Sequence, residues 1–451
     1  MPGGFHAAIG EALNGAGRLP APTVRDSGNA SLPSVFDVSG LATATLGAAC
    51  AEARALKGQM EGALGIDRHL ASEWFNFCLA PVGWDLPPVW DDIAGVYSTG
   101  DGHIRLHTNA PHHKAAALSV LACEPTRASV AVRVAEWQGD ALETAIVDAG
   151  GCAAVLRSAE DWATHPQGRA VASEPLIAWT ETGRAAPDGP DLDGVKVLDL
   201  TRVLAGPVAT RTLAGFGADV LRIDPPGWAE AICEPEVTWG KRLATLDLRT
   251  PDGAARLRAL LAEADILVHG LRPGALDGLG FDAKARRAIN PWLIDIAHNA
   301  YGWTGLWSWR RGFDSLVQMS TGIAHAGKVA SGGQAPVPLP VQALDYGTGY
   351  LIAAAALRAL RVRRDTGRVM QARLSLARTA ELLKSEGGPG LSGKRQGRSD
   401  RDFGATPLDT AWGPARVLRW PGPDPMQWRT GAHPFHSDTA DFAPYGGVSQ
   451  P

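Results

Sequence analysis

Cysteine is scarce in this chain. Its 451 residues include five, Cys50, Cys78, Cys123, Cys152 and Cys233, and none shares a C-x-x-C spacing. That argues against a disulfide framework and against a thiolate metal site. The five read as reduced, buried thiols. Long apolar runs are missing too. The longest, near 350–357, stops at Arg358 and is too short to cross a bilayer. Residues Met1 to His6 hold no basic region leading into an apolar stretch, so no secretory signal and a cytoplasmic location are expected. Nor is there an excess of either charge. Lys plus Arg number 43 against 47 Asp plus Glu, a net charge of −4. That leaves no electrostatic footprint for nucleic acid or a membrane surface.

What is present is an ordinary globular composition, 45% hydrophobic and 20% charged, in a chain too long for one typical core. Two or three domains are expected. The most informative stretch is 195–224, which reads as strand, turn, helix and strand. Val195, Val197, Leu198 and Leu200 form a short apolar strand of the buried type. Gly206 and Pro207 open a helix, and Gly215 and Gly217 close it. The apolar run 220–223 is the second strand and ends on Asp224. A turn feeding a helix N-terminus is an anion site, because free N–H groups and the helix dipole face the ligand. A phosphate-bearing ligand follows. The turn is not G-x-G-x-x-G, so the nicotinamide and flavin readings are weak.

Strands and helices alternate over 195–383, which predicts a mostly parallel sheet. Upstream, 1–30 reads as loosely ordered, 38–56 as an Ala-rich helix, and 96–107 as a hairpin around Asp101-Gly102. Residues 137–148 read as a helix, and 150–156 as a turn and short strand. The Pro/Gly/Asp-rich run 184–194 reads as a linker. Downstream, 386–405 reads as a mobile loop and the tail from 406 as irregular. The expected domains are 1–190, 191–385 and a terminal region 386–451.

The order of motifs resembles that of the family III CoA-transferases, which also include α-methylacyl-CoA racemases. Asp-Leu-Thr-Arg-Val-Leu-Ala-Gly-Pro at 199–207 and Gly-Ala-Asp-Val-Leu-Arg-Ile-Asp at 217–224 are similar to the family's opening. Gly240-Lys241-Arg242, 246–250, Arg272 to Leu276, and Arg311 to Asp314 with Gln318 follow in the family's order. Leu344-Asp345-Tyr346-Gly347-Thr348-Gly349 and Arg364-Asp365-Thr366-Gly367 complete it. The resemblance implies an α/β protein: a Rossmann-like parallel-sheet domain that binds coenzyme A, plus a smaller α+β domain. It implies CoA transfer between an acyl-CoA and a carboxylic acid, with CoA as substrate and no metal. It also implies an interlocked homodimer. Asp345 matches the catalytic nucleophile, which passes through a mixed anhydride to an aspartyl-CoA thioester. Leu204, Ala205, Leu246, Arg249, Gly270, Leu271 and Arg311 match CoA contacts. From local pattern alone, Asp345 is a helix cap, and the two arginines are surface residues.

Some positions depart from the family. Gly278 and Pro225-Pro226 stand where many relatives carry basic residues. Phe313 takes the place of the racemase histidine, and a phenyl ring cannot move a proton. An isomerase and a non-catalytic acyl-CoA binder are the alternatives. The order is permuted, because the small-domain-like pieces Tyr97 to Ile104 and His165 to Gly168 precede the sheet motifs. A partial repeat also stands out. Adding 308 to 37 gives 345, and the same offset carries Glu73 onto Glu381. Asp37 heads an Ala-rich helix as Asp345 does, but without a strand–helix–strand unit upstream, so capping is its expected role. His103, Arg105 and His107 share a strand face. With His112 and His113 they invite a metal reading, but no carboxylate or Cys recurs at ligand spacing, and a solvated face is expected.

Overall fold

The computed structural model describes residues 4–185, 192–392 and 395–442. Its centre is a seven-stranded sheet. In chain order, six parallel strands are Lys196–Leu200, Asp219–Asp224, Lys241–Thr245, Ile266–His269, Ile294–Asn299 and Arg368–Ser375. Across the sheet they run third, second, first, fourth, fifth, sixth. A seventh strand, Ala178–Arg184, pairs antiparallel with Arg368–Ser375 at the edge.

Alternation along the strands sends side chains into two cores. Val197, Val220, Ile266, Val268 and Ile294 face one. Leu198, Leu200, Leu221, Ile223 and Leu267 face the other. The first core is covered by the helices Ala205–Gly215 and Ala343–Thr366, the second by Pro251–Glu263. Both faces are therefore dry, which is why these strands are apolar throughout rather than alternating.

The helix Ala343–Thr366 is almost wholly buried. It lies between Ala205–Gly215 and a second buried helix, Val38–Leu56. Small residues permit this. A side chain on Gly349 would stand 2.6 Å from the Ala205 carbonyl, and one on Gly347 would press on Leu41. Two buried arginines, Arg358 and Arg361, reach across to Glu52 at 2.6 Å each.

The offset of 308 holds in three dimensions. The helix Arg68–Glu73 starts where 376 does in Leu376–Lys384. Their N-caps correspond: Asp67 accepts from the Leu70 N–H, and Ser375 accepts from that of Arg378. The preceding strands each pair with a parallel neighbour, Leu64–Asp67 with Val24–Ser27 and Arg368–Ser375 with Ile294–Asn299. The first copy's sheet stops at two strands.

Residues 95–155 build a separate unit. The hairpin Gly95–Ser98 and His103–Leu106 turns at Asp101-Gly102, and Ala153–Val155 adds a third strand. Ile104, Leu106, Val130, Val134, Leu142 and Ile146 fill its own core. A second cluster, Cys152 and Ala154 with Leu316, Met319 and Ala324, docks it onto the helix Asp314–Ser320 of the same chain.

Three sequence expectations are corrected. Residues 1–30 include the helix Phe5–Asn14, which buries Phe5, Ile9 and Leu13, and the strand Val24–Ser27; one helical face outweighs the Gly/Ala/Pro-rich composition. The 386–405 stretch is held in place at its described residues. Gly387–Gly390 pairs with Ser34–Phe36, and Arg395 and Arg398 bind the buried Glu73 at 2.6 and 2.8 Å. His107 is buried rather than solvated. The expected linker falls largely on 186–191, outside the described residues. Among the described residues no helix is long and apolar enough to cross a membrane, and no group of three or more His, Cys, Asp or Glu could hold a metal ion.

Candidate active site

In an open sheet of this order, ligands settle at the carboxyl ends of the strands where the order reverses. Here that crevice opens between Lys196–Leu200 and Ile266–His269. Leu204 and Ala205 stand at its first turn, both buried, with Leu204 at the N-cap position of its helix. The turn is tight. Asp199 accepts from the Thr201 N–H at 2.9 Å, and a side chain at 206 would collide with Thr201. Val203 adopts φ 63°, a left-handed conformation rare for a β-branched residue and a mark of backbone strain at a site. Its N–H donates to Glu230 at 2.9 Å.

Gly270 and Leu271 leave the neighbouring strand. Any side chain at 270 would run into the His298 ring, so glycine is required there. The helix bearing Asp345 faces the same crevice. Gly349, which touches Ala205, lies one turn beyond Asp345 on one helix face. Leu204 and Ala205 thus stand at the turn, Gly270 ends the neighbouring strand, and Asp345 lies one helical turn before the glycine that approaches Ala205. Leu246 and Arg249 follow the outermost parallel strand instead. Arg249 is largely exposed, its guanidinium forked onto Asp247 at 2.8 and 2.9 Å. Arg311 points to the small unit, donating to the Gly150 carbonyl at 3.1 Å.

Asp345 does not cap its own helix. The carboxylate at the helix start comes from Asp314, which accepts from the N–H groups of Leu344 and Asp345 at 2.8 and 3.0 Å. Gln318 donates to its other oxygen. The Asp345 side chain is buried and has no hydrogen-bond partner among the described residues. Burial first, and then the adjacent Asp314, push its pKa well above the usual carboxylate range. Burial also raises Asp314, to about 6, against the pull of its three N–H donors. Those donors favour the charged form of Asp314, a support that the Asp345 carboxyl lacks. The thiol nearest in electrostatic terms, Cys233, is buried and pushed well above its ordinary value, which makes it a poor nucleophile.

A match to the family model for CoA-transferase family III covers residues 192–410. Those residues resemble CoA-transferase family III. Every sheet strand but the antiparallel edge lies within this family III segment, as do Asp314 and Asp345. Curated relatives agree. The chain is 35% identical over 202 residues to the acetyl-coenzyme A transferase nodX of Hypoxylon pulicicidum, covering 43% of this chain and 34% of that protein. It is 36% identical over 193 residues to the succinyl-CoA–L-malate CoA-transferase beta subunit of Chloroflexus aurantiacus, with coverages of 39% and 47%. A CAIB/BAIF family protein from Brucella suis, of known structure, shares 28% identity over 50% of this chain and 65% of that one, with a TM-score of 0.37. The chain spans about a third to a half of the length of these curated relatives.

Sequence reading missed the role of Asp314. The residue was visible in Arg-Gly-Phe-Asp, but the two N–H groups it accepts from lie 31 and 30 residues downstream, beyond the reach of any local pattern.

Proposed function

We propose that this protein is a CoA-transferase that moves CoA from an acyl-CoA to a carboxylic acid, with Asp345 as the covalent nucleophile. The observation that carries the reading is a buried carboxylate, without a hydrogen-bond partner among the described residues, within the segment that matches the family III model. In this reading the sheet is Rossmann-like and residues 191–385 bind CoA. Leu204, Ala205, Gly270 and Leu271 line the pantetheine path, and Leu246, Arg249 and Arg311 supply outer contacts. Arg249 and Arg311 suit phosphate, since guanidinium gives charge-assisted, bidentate bonds.

The chemistry balances without a redox group. The ionised Asp345 attacks the thioester carbonyl, the C–S bond breaks, and CoA leaves as thiolate with a mixed anhydride behind it. The thiolate then attacks the aspartyl carbonyl, and the acyl group departs as its carboxylate. An aspartyl-CoA thioester remains, and the acceptor acid reverses both steps. Two easier displacements replace one hard exchange. Burial that raises the pKa of Asp345 also strips water from its ionised form and makes it a stronger nucleophile. The unit 95–155, docked beside Asp314, would shield the anhydride and thioester from hydrolysis.

Intact-protein mass spectrometry after incubation with a panel of acyl-CoAs tests this directly. A CoA adduct that hydroxylamine converts to a hydroxamate at Asp345 is expected. Label on another carboxylate, with Asp345→Ala still active, overturns the assignment.

A further inference from the structure

The turn that opens the crevice has an uncommon shape, and the group that holds it comes from further along the chain. Val203 has φ 63°, a conformation that a β-branched residue resists. Valine is still of use there, since its side chain packs against the first core. Its N–H donates to the Glu230 carboxylate at 2.9 Å. The other oxygen of Glu230 accepts from the guanidinium of Arg222 at 3.0 Å. Arg222 is fully buried and also forks onto Asp224 at 2.9 and 3.2 Å.

Glu230 thus ties the turn to the neighbouring strand Asp219–Asp224. A second tie runs beside it. Arg202 pairs with Asp224 at 3.0 Å, and its guanidinium lies 5.1 Å from the centroid of Trp228. The same segment extends toward the nucleophile. The Cys233 N–H donates to the Glu230 carbonyl at 2.7 Å, and the charge of Asp345 is felt at Cys233. Val203 is followed directly by Leu204 and Ala205, the residues assigned above to the pantetheine path. The φ at 203 therefore sets the direction in which the chain delivers both of them to the crevice.

We propose that Glu230 is a positioning residue for CoA. Its carboxylate holds the left-handed conformation of Val203, so that Leu204 and Ala205 are in place before CoA arrives. Glu230 acts through the turn and not on the reacting atoms. Without its acceptor the turn spends part of its time relaxed, and CoA binds only the fraction that is not. Affinity for CoA then falls, while the chemistry at Asp345 keeps its rate once CoA is seated. A glycine at 203 takes the same φ without strain and makes the acceptor dispensable.

The inference rests on the transferase reading, and its test separates the two. Binding of CoA to the full chain is measured by calorimetry, without turnover. The kcat and KM for exchange of labelled CoA are measured with an acyl-CoA that loads Asp345. Glu230→Ala removes the acceptor. Glu230→Gln keeps the shape, but its single oxygen serves either Val203 or Arg222 and not both. Both variants should weaken CoA binding and raise KM, the alanine by about 10-fold or more, with kcat within about threefold of wild type. Adding Val203→Gly to either should return the Kd for CoA to within about threefold of wild type. The isosteric glutamine carries the test alone should the alanine variant not fold. The proposal is overturned if Glu230→Gln binds CoA as tightly as the wild type, or if Val203→Gly does not restore binding. It is overturned equally if kcat falls while KM stays. In each of these cases hydroxylamine-trappable loading of Asp345 leaves the transferase reading intact. If the wild-type chain binds no CoA and Asp345 never loads, that reading fails and takes this inference with it.

Discussion

Asp37 and Asp345 head the same helix–strand–helix arrangement 308 residues apart, and their surroundings could hardly differ more. Asp37 is the N-cap of its helix, accepts from the Gly40 N–H at 2.9 Å, and is paired with Arg68 at 2.5 Å. Asp345 lies inside the first turn of its helix with no donor on its carboxylate, and its helix is capped by Asp314. One carboxylate is neutralised where it sits. The other faces a second carboxylate in a dry crevice. The helices are alike, so the difference comes from what packs against them. Behind Asp345 stands a six-strand parallel sheet with a switch point; behind Asp37 stands a two-stranded ribbon. Reactivity here belongs to the neighbourhood rather than to the motif.

The sharpest break of that comparison is removal of each carboxylate in turn. Asp345→Ala should lower CoA exchange by at least about 1,000-fold, as expected for loss of a covalent nucleophile. Steady-state exchange with labelled CoA and the absence of a hydroxamate at 345 check it. Retained turnover would return Asp345 to the same inert class as Asp37.

A smaller effect isolates the pairing of acids. Asp314→Asn removes a like charge beside Asp345, so the Asp345 pKa should fall. The acid limb of the kcat/KM–pH profile should move down by about one unit. A limb that stays in place would show that burial alone sets it.

Stability gives the same information with the opposite sign from a usual carboxylate. The folded pKa of Asp345 lies above its unfolded value, so the native state holds the extra proton between the two. Its contribution is fully present below the unfolded value and is lost as pH rises through the folded one. Asp345→Asn should therefore raise the melting temperature at about pH 8 by an amount worth roughly 1–3 kcal/mol, and by little near pH 4. Thermal melts across that range decide it.

The mildest change falls on the first copy. Asp37→Ala should cost about 1 kcal/mol as a lost cap and leave turnover within about twofold. A hundredfold fall in kcat with an unchanged melt would mean that both carboxylates take part in the chemistry.

Much of this arrangement is legible in the residues. The apolar strands, the turn at 201–207 and the motif order lead to the parallel sheet and to Asp345. The 308 offset leads to paired helices, because helix starts are set by local caps such as Asp67 and Ser375. What escapes the sequence depends on distant partners. Asp314 looks like an ordinary acid until Leu344 and Asp345 are placed on it. His107 looks solvated until Phe313 stacks on its ring. Arg395 and Arg398 look like a charged, mobile loop until Glu73 is found between them.

Glu52 holds two arginines of the Asp345 helix, and nothing in that contact needs the first copy to be reactive. Its consequence is evolutionary. A lineage could lose the carboxylate at 37 at little cost, but not the helix that follows it. Loss of Glu52 would strand two buried guanidiniums in the middle of the other copy, a change usually worth several kcal/mol. Selection can therefore relax on the first copy's chemistry while still guarding its skeleton.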